Sequence, residues 1–151
     1  MSIQFVIFEL DDMEFGLEIT AVNSILRARK FKLQTLPGTN KSIEGIINVR
    51  GNINFIFNLR TKFNFVEKEI IEQSKFIMLN SNNTNSGFRV DEVTDIIKLN
   101  DEEINQVPNF TCGINDNYIV GIGTVEDRMI IILDPEKIFT AEIATLDSIR
   151  C

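Results

Sequence analysis

The sequence predicts a mainly β fold: two small five-stranded barrels related by an internal repeat, with short helical turns and a C-terminal helix. Three observations predict it. Short β-prone runs alternate with Gly- and Asn-containing turns at the spacing expected of small barrels. The first half of the chain is echoed in the second at constant offsets. The composition, 44% hydrophobic and 25% charged over 151 residues, is that of a globular chain. A chain of this size buries about two thirds of its unfolded surface and needs no disulfide or metal for stability. Residues 1–151 are read as one domain, with repeat halves 3–66 and 74–140.

The elements follow in order. Phe5-Val6-Ile7-Phe8-Glu9-Leu10 and Met13-Glu14-Phe15-Gly16-Leu17 flank Asp11-Asp12, a hairpin signal. Ile19, Val22, Ile25 and Leu26 then space as a short amphipathic helix leading into a strand. Ile53-Asn54-Phe55-Ile56-Phe57 suits a strand buried on both faces, and the 12 Phe read as core. Phe76-Ile77-Met78-Leu79 is a second opening strand, the Asn- and Ser-rich run 80–86 a turn, and Val90, Val93, Ile96 and Ile97 repeat the earlier spacing. Asp101-Glu102-Glu103 starts a short helical turn. Asp134-Pro135 supplies an N-cap and a first-turn Pro, so a helix is expected from about residue 135. Ile138, Phe139, Ile143, Leu146 and Ile149 form its apolar stripe.

The repeat is explicit in the numbering. An offset of 71 places Phe5 on Phe76, Gly16 on Gly87, Val22 on Val93 and Ile25 on Ile96. An offset of 76 places the block Ile43–Val49 on Ile119–Val125, with Gly45 on Gly121, Ile56 on Ile132 and Asn58 on Asp134. Where both copies keep a residue, the fold is the economical explanation; Gly45 and Gly121, each read as preceding a strand, are such a pair. Where equivalent turns differ, the difference is free to serve function. The sharpest difference is Val49-Arg50-Gly51-Asn52 against Val125-Glu126-Asp127-Arg128. Gly51-Asn52 can supply the positive φ of a tight hairpin, leaving Arg50 as a long donor at its tip. Arg60 and Lys62 follow soon after and could extend this into a small basic face.

Composition excludes several function classes. The chain has no His, which removes Ser-His-Asp triads, His-based acid–base catalysis and His-ligated zinc. No Gly-rich phosphate loop follows a strand. The acidic runs at Asp11-Asp12-Met13-Glu14 and at 100–103 lack the ligand spacing of a calcium loop. Cys112 and Cys151 form no disulfide framework and have no His base, so no redox or nucleophilic role is assigned to them. No enzyme activity, metal or cofactor is expected. A net charge of −7 works against nucleic-acid binding. No apolar run reaches the length of a membrane span, and the opening residues lack a secretion signal, so a cytoplasmic setting is expected.

Four segments together resemble the CheW family of chemotaxis coupling proteins. They are Gln4–Leu10; Phe15–Ile19 with Val22; Ile43–Asn52 with Leu59-Arg60; and Tyr118–Gly123 with Asp127–Asp134. The third resembles the family's most specific run, Asn-Leu-Arg-Gly followed by Asp-Leu-Arg, with Val49 in place of the Leu and Asn58 in place of the Asp. The resemblance implies SH3-like barrels and a non-enzymatic adaptor. As partners it implies the regulatory domain of the histidine kinase CheA and the cytoplasmic tip of methyl-accepting receptors, with recruitment to arrays at the inner face of the membrane. By the same motif Arg50 matches a receptor-coupling Arg, beside Gly51, and Val22 matches an apolar contact position near Ile19. Ser24 stands where the family often has Glu, and Glu44 where it often has Lys, a reversed rim charge expected to alter partner choice. The stretch from Arg27 to Asn40 carries a small insertion relative to typical members. A CheA- or CheV-type regulatory domain acting alone is the nearest alternative, and a small-barrel nucleic-acid binder the alternative from another class. The end of the chain soon after the expected final helix favours the stand-alone adaptor.

Overall fold

The computed structural model describes residues 2–38, 42–80, 85–106 and 118–138. The opening hairpin forms as expected, β1 (Ser2–Leu10) against β2 (Met13–Glu18) across the two-residue turn Asp11-Asp12. A single 3₁₀ turn at Ile19–Ala21 leads into β3 (Val22–Arg27), and a second at Ala28–Lys30 closes it. The helix expected through Ile25 and Leu26 is therefore confined to its first three residues. The apolar spacing that suggested it is produced instead by a bulge in β3 between Val22 and Ser24, which shifts the strand's alternation by one residue.

The remaining elements are β4 (Ile43–Val49), β5 (Asn52–Phe57), the one-turn helix α1 (Leu59–Lys62), β6 (Lys75–Leu79), β7 (Ser86–Val90), β8 (Glu92–Asn100), β9 (Ile104–Asn105), β10 (Ile119–Val125) and β11 (Arg128–Leu133). A 3₁₀ turn spans Asp101–Glu103 as expected, with the Glu103 carboxylate accepting the Asn100 N–H at 2.8 Å. Asp134 caps a closing turn: its Oδ1 accepts the Glu136 N–H and its carbonyl accepts the Ile138 N–H. The expected helix beyond residue 138 lies outside the described residues, as do Cys112 and Cys151.

The strands form two sheets. The first, sheet A, has the order β8-β1-β2-β11-β10-β9; the second, sheet B, has β3-β6-β7-β5-β4. Pairing registers in the two are equivalent under the offsets read from the sequence. Phe5 pairs Glu18 and Ile97 in sheet A, while Phe76 pairs Arg89 and Leu26 in sheet B. Parallel β2–β11 sets Gly16 against Ile132, and parallel β7–β5 sets Gly87 against Ile56. The bulges recur too, between Gly121 and Ile119 in β10 and between Gly45 and Ile43 in β4.

The repeat halves and the sheets do not coincide, contrary to a reading in which each half closes its own barrel. The hairpin β1-β2 of the first half sits in sheet A with β8, β10 and β11 of the second, and β6-β7 sits in sheet B with β3, β4 and β5. The seam in each sheet is its parallel pair. Parallel neighbours cannot be joined by a tight turn and need a long crossover, so the seam necessarily falls between segments distant in sequence.

Strand alternation then builds three apolar clusters. Val6, Phe8 and Leu10 on one face of β1 meet Phe57, Ile77, Phe88 and Val90 of sheet B in a core shared by the two sheets. Phe5 and Ile7 on the other face of β1 join Leu99, Ile130 and Ile132 inside sheet A. Phe76 and Met78 join Ala28, Ile47 and Ile56 inside sheet B. Phe5, Phe8, Phe15, Phe57, Phe76 and Phe88 are all buried, as expected, and Phe8 packs on Phe15 and Phe88 at 5.6 and 5.4 Å between ring centroids. The run Ile53–Phe57 is buried only at its end: Ile56 and Phe57 are inside, but Ile53 is 50% exposed because β5 projects past the sheet toward its turn.

Gly45 and Gly121 lie within strands, at the bulges, rather than before them. A Cβ on Gly45 would collide with the Gln34 carbonyl oxygen, and one on Gly121 would stand 2.7 Å from the Asn105 carbonyl oxygen. Each carbonyl belongs to a short bridging segment that pairs beside the strand, Gln34 with Ile46 and Asn105 with Ile122. Either Gly→Ala change should cost about 1–3 kcal/mol, as overpacking against fixed backbone does. Denaturant melts of G45A and G121A check this; unchanged midpoints would show that the bridging segments move aside freely.

Candidate functional site

Val49 pairs with Asn52, so the β4-β5 turn consists of Arg50 and Gly51 alone. Both take positive φ, 53° and 87°, which makes the turn the primed type whose twist matches the strands. The left-handed pair is thus Arg50-Gly51 and not Gly51-Asn52, and the Gly51 N–H is held by Asn48 Oδ1 at 2.8 Å. Glu126 occupies the corresponding place in sheet A with φ 55°, so the strained position tolerates an ordinary side chain in both copies. Arg50 is exposed, and among the described residues its guanidinium has no ion-pair or hydrogen-bond partner.

Arg50 stands at the rim of a groove of ≈ 420 Å³ at the open end of sheet B. Ser24, Asn52, Asn54 and Asn85 line it with neutral polar groups, and Leu26, Phe31, Val49 and Met78 supply apolar surface. Arg50 is the one ionisable residue in this lining among the described residues. A groove of this make-up can hold an extended or helical peptide edge, with hydrogen bonds from the amides and one charge-assisted contact.

The structure brings together only part of the predicted partner-binding set. Arg50 and Ser24 share the groove, and Gly51 follows Arg50 in the turn at its rim. Ile19 and Val22 are half-buried and pack against the core shared by the two sheets, away from that lining. Glu44 does not stand on the rim as a reversed surface charge. Its side chain is 15% exposed and pairs with the buried Arg89 of β7 at 3.2 Å. Burial pushes the Glu44 carboxyl above its ordinary range, which Arg89 offsets only in part.

The small basic face expected from Arg60 and Lys62 is not formed. Arg60 is 3% exposed. Its Nη2 donates to Asp91 Oδ2 and to Asp11 Oδ1, both at 2.6 Å, and its Nη1 to the Val66 carbonyl at 2.7 Å. Asp91 Oδ2 also accepts the Asp11 N–H at 2.8 Å. One guanidinium therefore ties the β1-β2 turn of sheet A, the β7-β8 junction and α1 together. Asn58 prepares it by capping α1, its Oδ1 accepting the Thr61 N–H, while Leu59 is fully buried. The Asn58-Leu59-Arg60 end of the motif is thus structural. Lys62 lies over the Tyr118 ring, 5.3 Å from its centroid.

Burial alone would raise the pKa of Asp91, but hydrogen bonds from Arg60 and the Asp11 N–H outweigh it and hold the carboxyl below its ordinary range. A lowered folded-state value means that the knot stabilises fully above the unfolded Asp value of about 4 and is lost as the pH falls through the lower folded one. Acid melts should accordingly show a loss of stability beginning near pH 4 that is smaller in Asp91→Asn. An equal slope in the variant would remove Asp91 from the account.

Sequence reasoning passed over a second cluster. Arg128, at the start of β11, donates Nη2 to Glu14 Oε1 at 2.7 Å and Nη1 to Asp95 Oδ2 at 3.1 Å. Its hydrogen bonds to the Glu14 and then the Asp95 carboxylate push the guanidinium pKa further up. The repeat alignment held the signal, since it places neutral Ser24 on Asp95 and neutral Asn52 on Arg128, a charge gained at each position in the second copy. Asp11 and Glu14, which resembled calcium ligands, direct their carboxylates at Arg60 and Arg128 instead. Among the described residues no group of three acidic or Cys side chains could hold a metal ion, and no helix is long and apolar enough to cross a membrane.

Two sheets sharing a core, with a groove of amide and apolar side chains and Arg50 at its rim, present a surface suited to holding another protein chain. Residues 4–142 match the CheW-like domain family model, and the chain belongs to that family. It is 33% identical over 148 residues to the chemotaxis protein CheW of Klebsiella aerogenes, covering 97% of this chain and 87% of that one. It is 29% identical to the CheW of Helicobacter pylori, over 90% of this chain and 81% of the relative. Its fold matches the crystal structure of the scaffolding protein TtCheW from Thermoanaerobacter tengcongensis with a TM-score of 0.81 and 29% identity, covering 92% and 88% of the two chains. The chain is a CheW-type chemotaxis adaptor of the signal-transduction scaffold class.

Proposed function

We propose that this chain couples methyl-accepting chemotaxis receptors to the kinase CheA, binding the kinase's regulatory domain and the receptors' cytoplasmic tip, and that Arg50 carries the receptor contact. It does so without chemistry of its own, as a cytoplasmic protein recruited to receptor arrays at the inner face of the membrane. The observation that carries the reading is the state of Arg50: a side chain held at a left-handed turn position, exposed, unpaired among the described residues, and set at the rim of a groove. A guanidinium so placed contributes little to folding and is available for a partner's carboxylate or carbonyl groups. The two-segment motif separates its tasks, with Arg60 holding the fold and Arg50 facing outward.

The test is reconstitution. Receptor-bearing membranes and CheA are mixed with and without this chain, and kinase autophosphorylation is followed on adding receptor ligand. Receptor control that appears only when the chain is present supports the proposal. Control that is the same with and without it contradicts it.

A further inference from the structure

The two sheets are built alike, but the ends of the sheets beside the β10-β11 and β4-β5 turns differ, and the difference traces to three positions. In sheet A, Arg128 reaches across the end of the sheet to Glu14 of β2 and Asp95 of β8. The repeat offsets and the shared pairing registers put Asn52, Asn85 and Ser24 at the corresponding places in sheet B. Asp95 pairs with Ile7 as Ser24 pairs with Met78, Glu14 opens its parallel seam opposite Ile130 while Asn85 meets the other seam through its carbonyl, which accepts the Phe55 N–H, and Arg128 follows its turn as Asn52 does. All three counterparts line the groove that Arg50 rims. The ion network that spans one mouth has been replaced in the other by two amides and a hydroxyl. Among the described residues, none of these three side chains has a hydrogen-bond partner.

Resting on the reading of Arg50 given above, we infer that Ser24, Asn52 and Asn85 are specificity-determining residues that keep this groove open, and that it receives an acidic side chain from the receptor segment Arg50 engages. Charge complementarity selects the ligand. Arg50 is the one ionisable group in the lining among the described residues, so a carboxylate entering the groove meets a cation and, among those residues, no anion. The Asn52 and Asn85 amides can donate to the same carboxylate, while Leu26, Phe31 and Met78 take the apolar stem or its neighbour. In sheet A a comparable pairing is already made inside the chain, Glu14 and Asp95 on Arg128, with the cation at the position of Asn52 instead of Arg50. The sheet A mouth is thus an internal model of what the sheet B mouth binds in trans.

The experiment installs the network of one sheet in the other. The triple variant Ser24→Asp, Asn52→Arg, Asn85→Glu and the single variant Asn52→Arg are made beside wild type. Each is titrated with a purified receptor cytoplasmic fragment, and each is melted to verify folding. The groove assignment predicts a melting temperature at or above that of wild type and a receptor affinity at least tenfold weaker. Should the triple variant fail to fold, Asn52→Arg alone must show the loss. Wild-type affinity in a folded plugged variant overturns the groove while leaving the adaptor reading intact; a wild-type chain that binds neither receptor nor kinase overturns the adaptor reading itself. For the ligand's charge, Arg50→Glu is titrated with receptor fragments in which each acidic residue of the tip is changed to Lys in turn. Restored binding by one such change is the expected result, and no restoration by any of them overturns the acidic ligand.

Discussion

Replacing Arg60 with Ala should destabilise the protein by about 3–5 kcal/mol, the usual cost of removing one partner from a buried ion pair. The loss comes from what remains as much as from what is removed. Asp91 would be left nearly buried without its main counter-charge, and the Val66 carbonyl would lose its donor. The three segments joined by Arg60 belong to both sheets, so the change loosens the interface between them and not one element. Against a total stability of about 5–15 kcal/mol, such a loss leaves little margin. Arg60→Lys should rescue only partly, because an ammonium cannot serve two carboxylates and a carbonyl in the geometry of a guanidinium. Urea melts of both variants decide the matter. A midpoint for Arg60→Ala within error of wild type would show that the knot contributes nothing net.

Arg50→Ala should behave in the opposite way. The side chain is exposed and without a partner among the described residues, so stability should stay within about 0.5 kcal/mol of wild type. Arg50→Gly should even gain up to about 1 kcal/mol, since a residue with a Cβ is strained at φ 53°. Receptor binding, in contrast, should fall by about 2 kcal/mol or more, roughly thirtyfold, as for an interface Arg at a hot spot. Binding to the kinase regulatory domain should be largely spared. Titration calorimetry with each partner and a thermal melt on one preparation read all three quantities. Unfolding of Arg50→Ala would make the residue structural; wild-type affinities and wild-type kinase control would make it an ordinary solvated Arg.

How much of this was legible in the sequence depends on the range of the interaction. The hairpins were visible because their turns and alternation are local, and the repeat was visible because its glycines recur in register. The offsets of Gly16 onto Gly87 and Gly45 onto Gly121 reappear as matched bulges and parallel seams. The exchange of hairpins between sheets was not legible, because β2–β11 and β7–β5 pair across distant segments and nothing in a strand's own pattern names its parallel neighbour. The false helix at Ile19–Leu26 came from a bulge, which mimics a longer period over a few residues.

Charges were the hardest to place. Arg50, Arg60, Arg89 and Arg128 look alike in a sequence, yet only Arg50 faces solvent without a partner among the described residues. The other three are consumed by Asp11 and Asp91, by Glu44, and by Glu14 and Asp95. Each of these pairings joins residues far apart in sequence, so no spacing rule could have found it. Glu44 was misplaced on the rim for that reason. The contrast between the copies did carry information, but it was read at Arg50 alone and not at Ser24, Asn52 and Asn85, where it also applies.

One chain should hold receptor and kinase at once. Sedimentation of this chain with the CheA regulatory domain and a receptor cytoplasmic fragment, singly and together, tests it most directly. The expected result is a complex containing all three, in which each partner binds without displacing the other. Competition between the two partners for one site, or binding of neither, would contradict it.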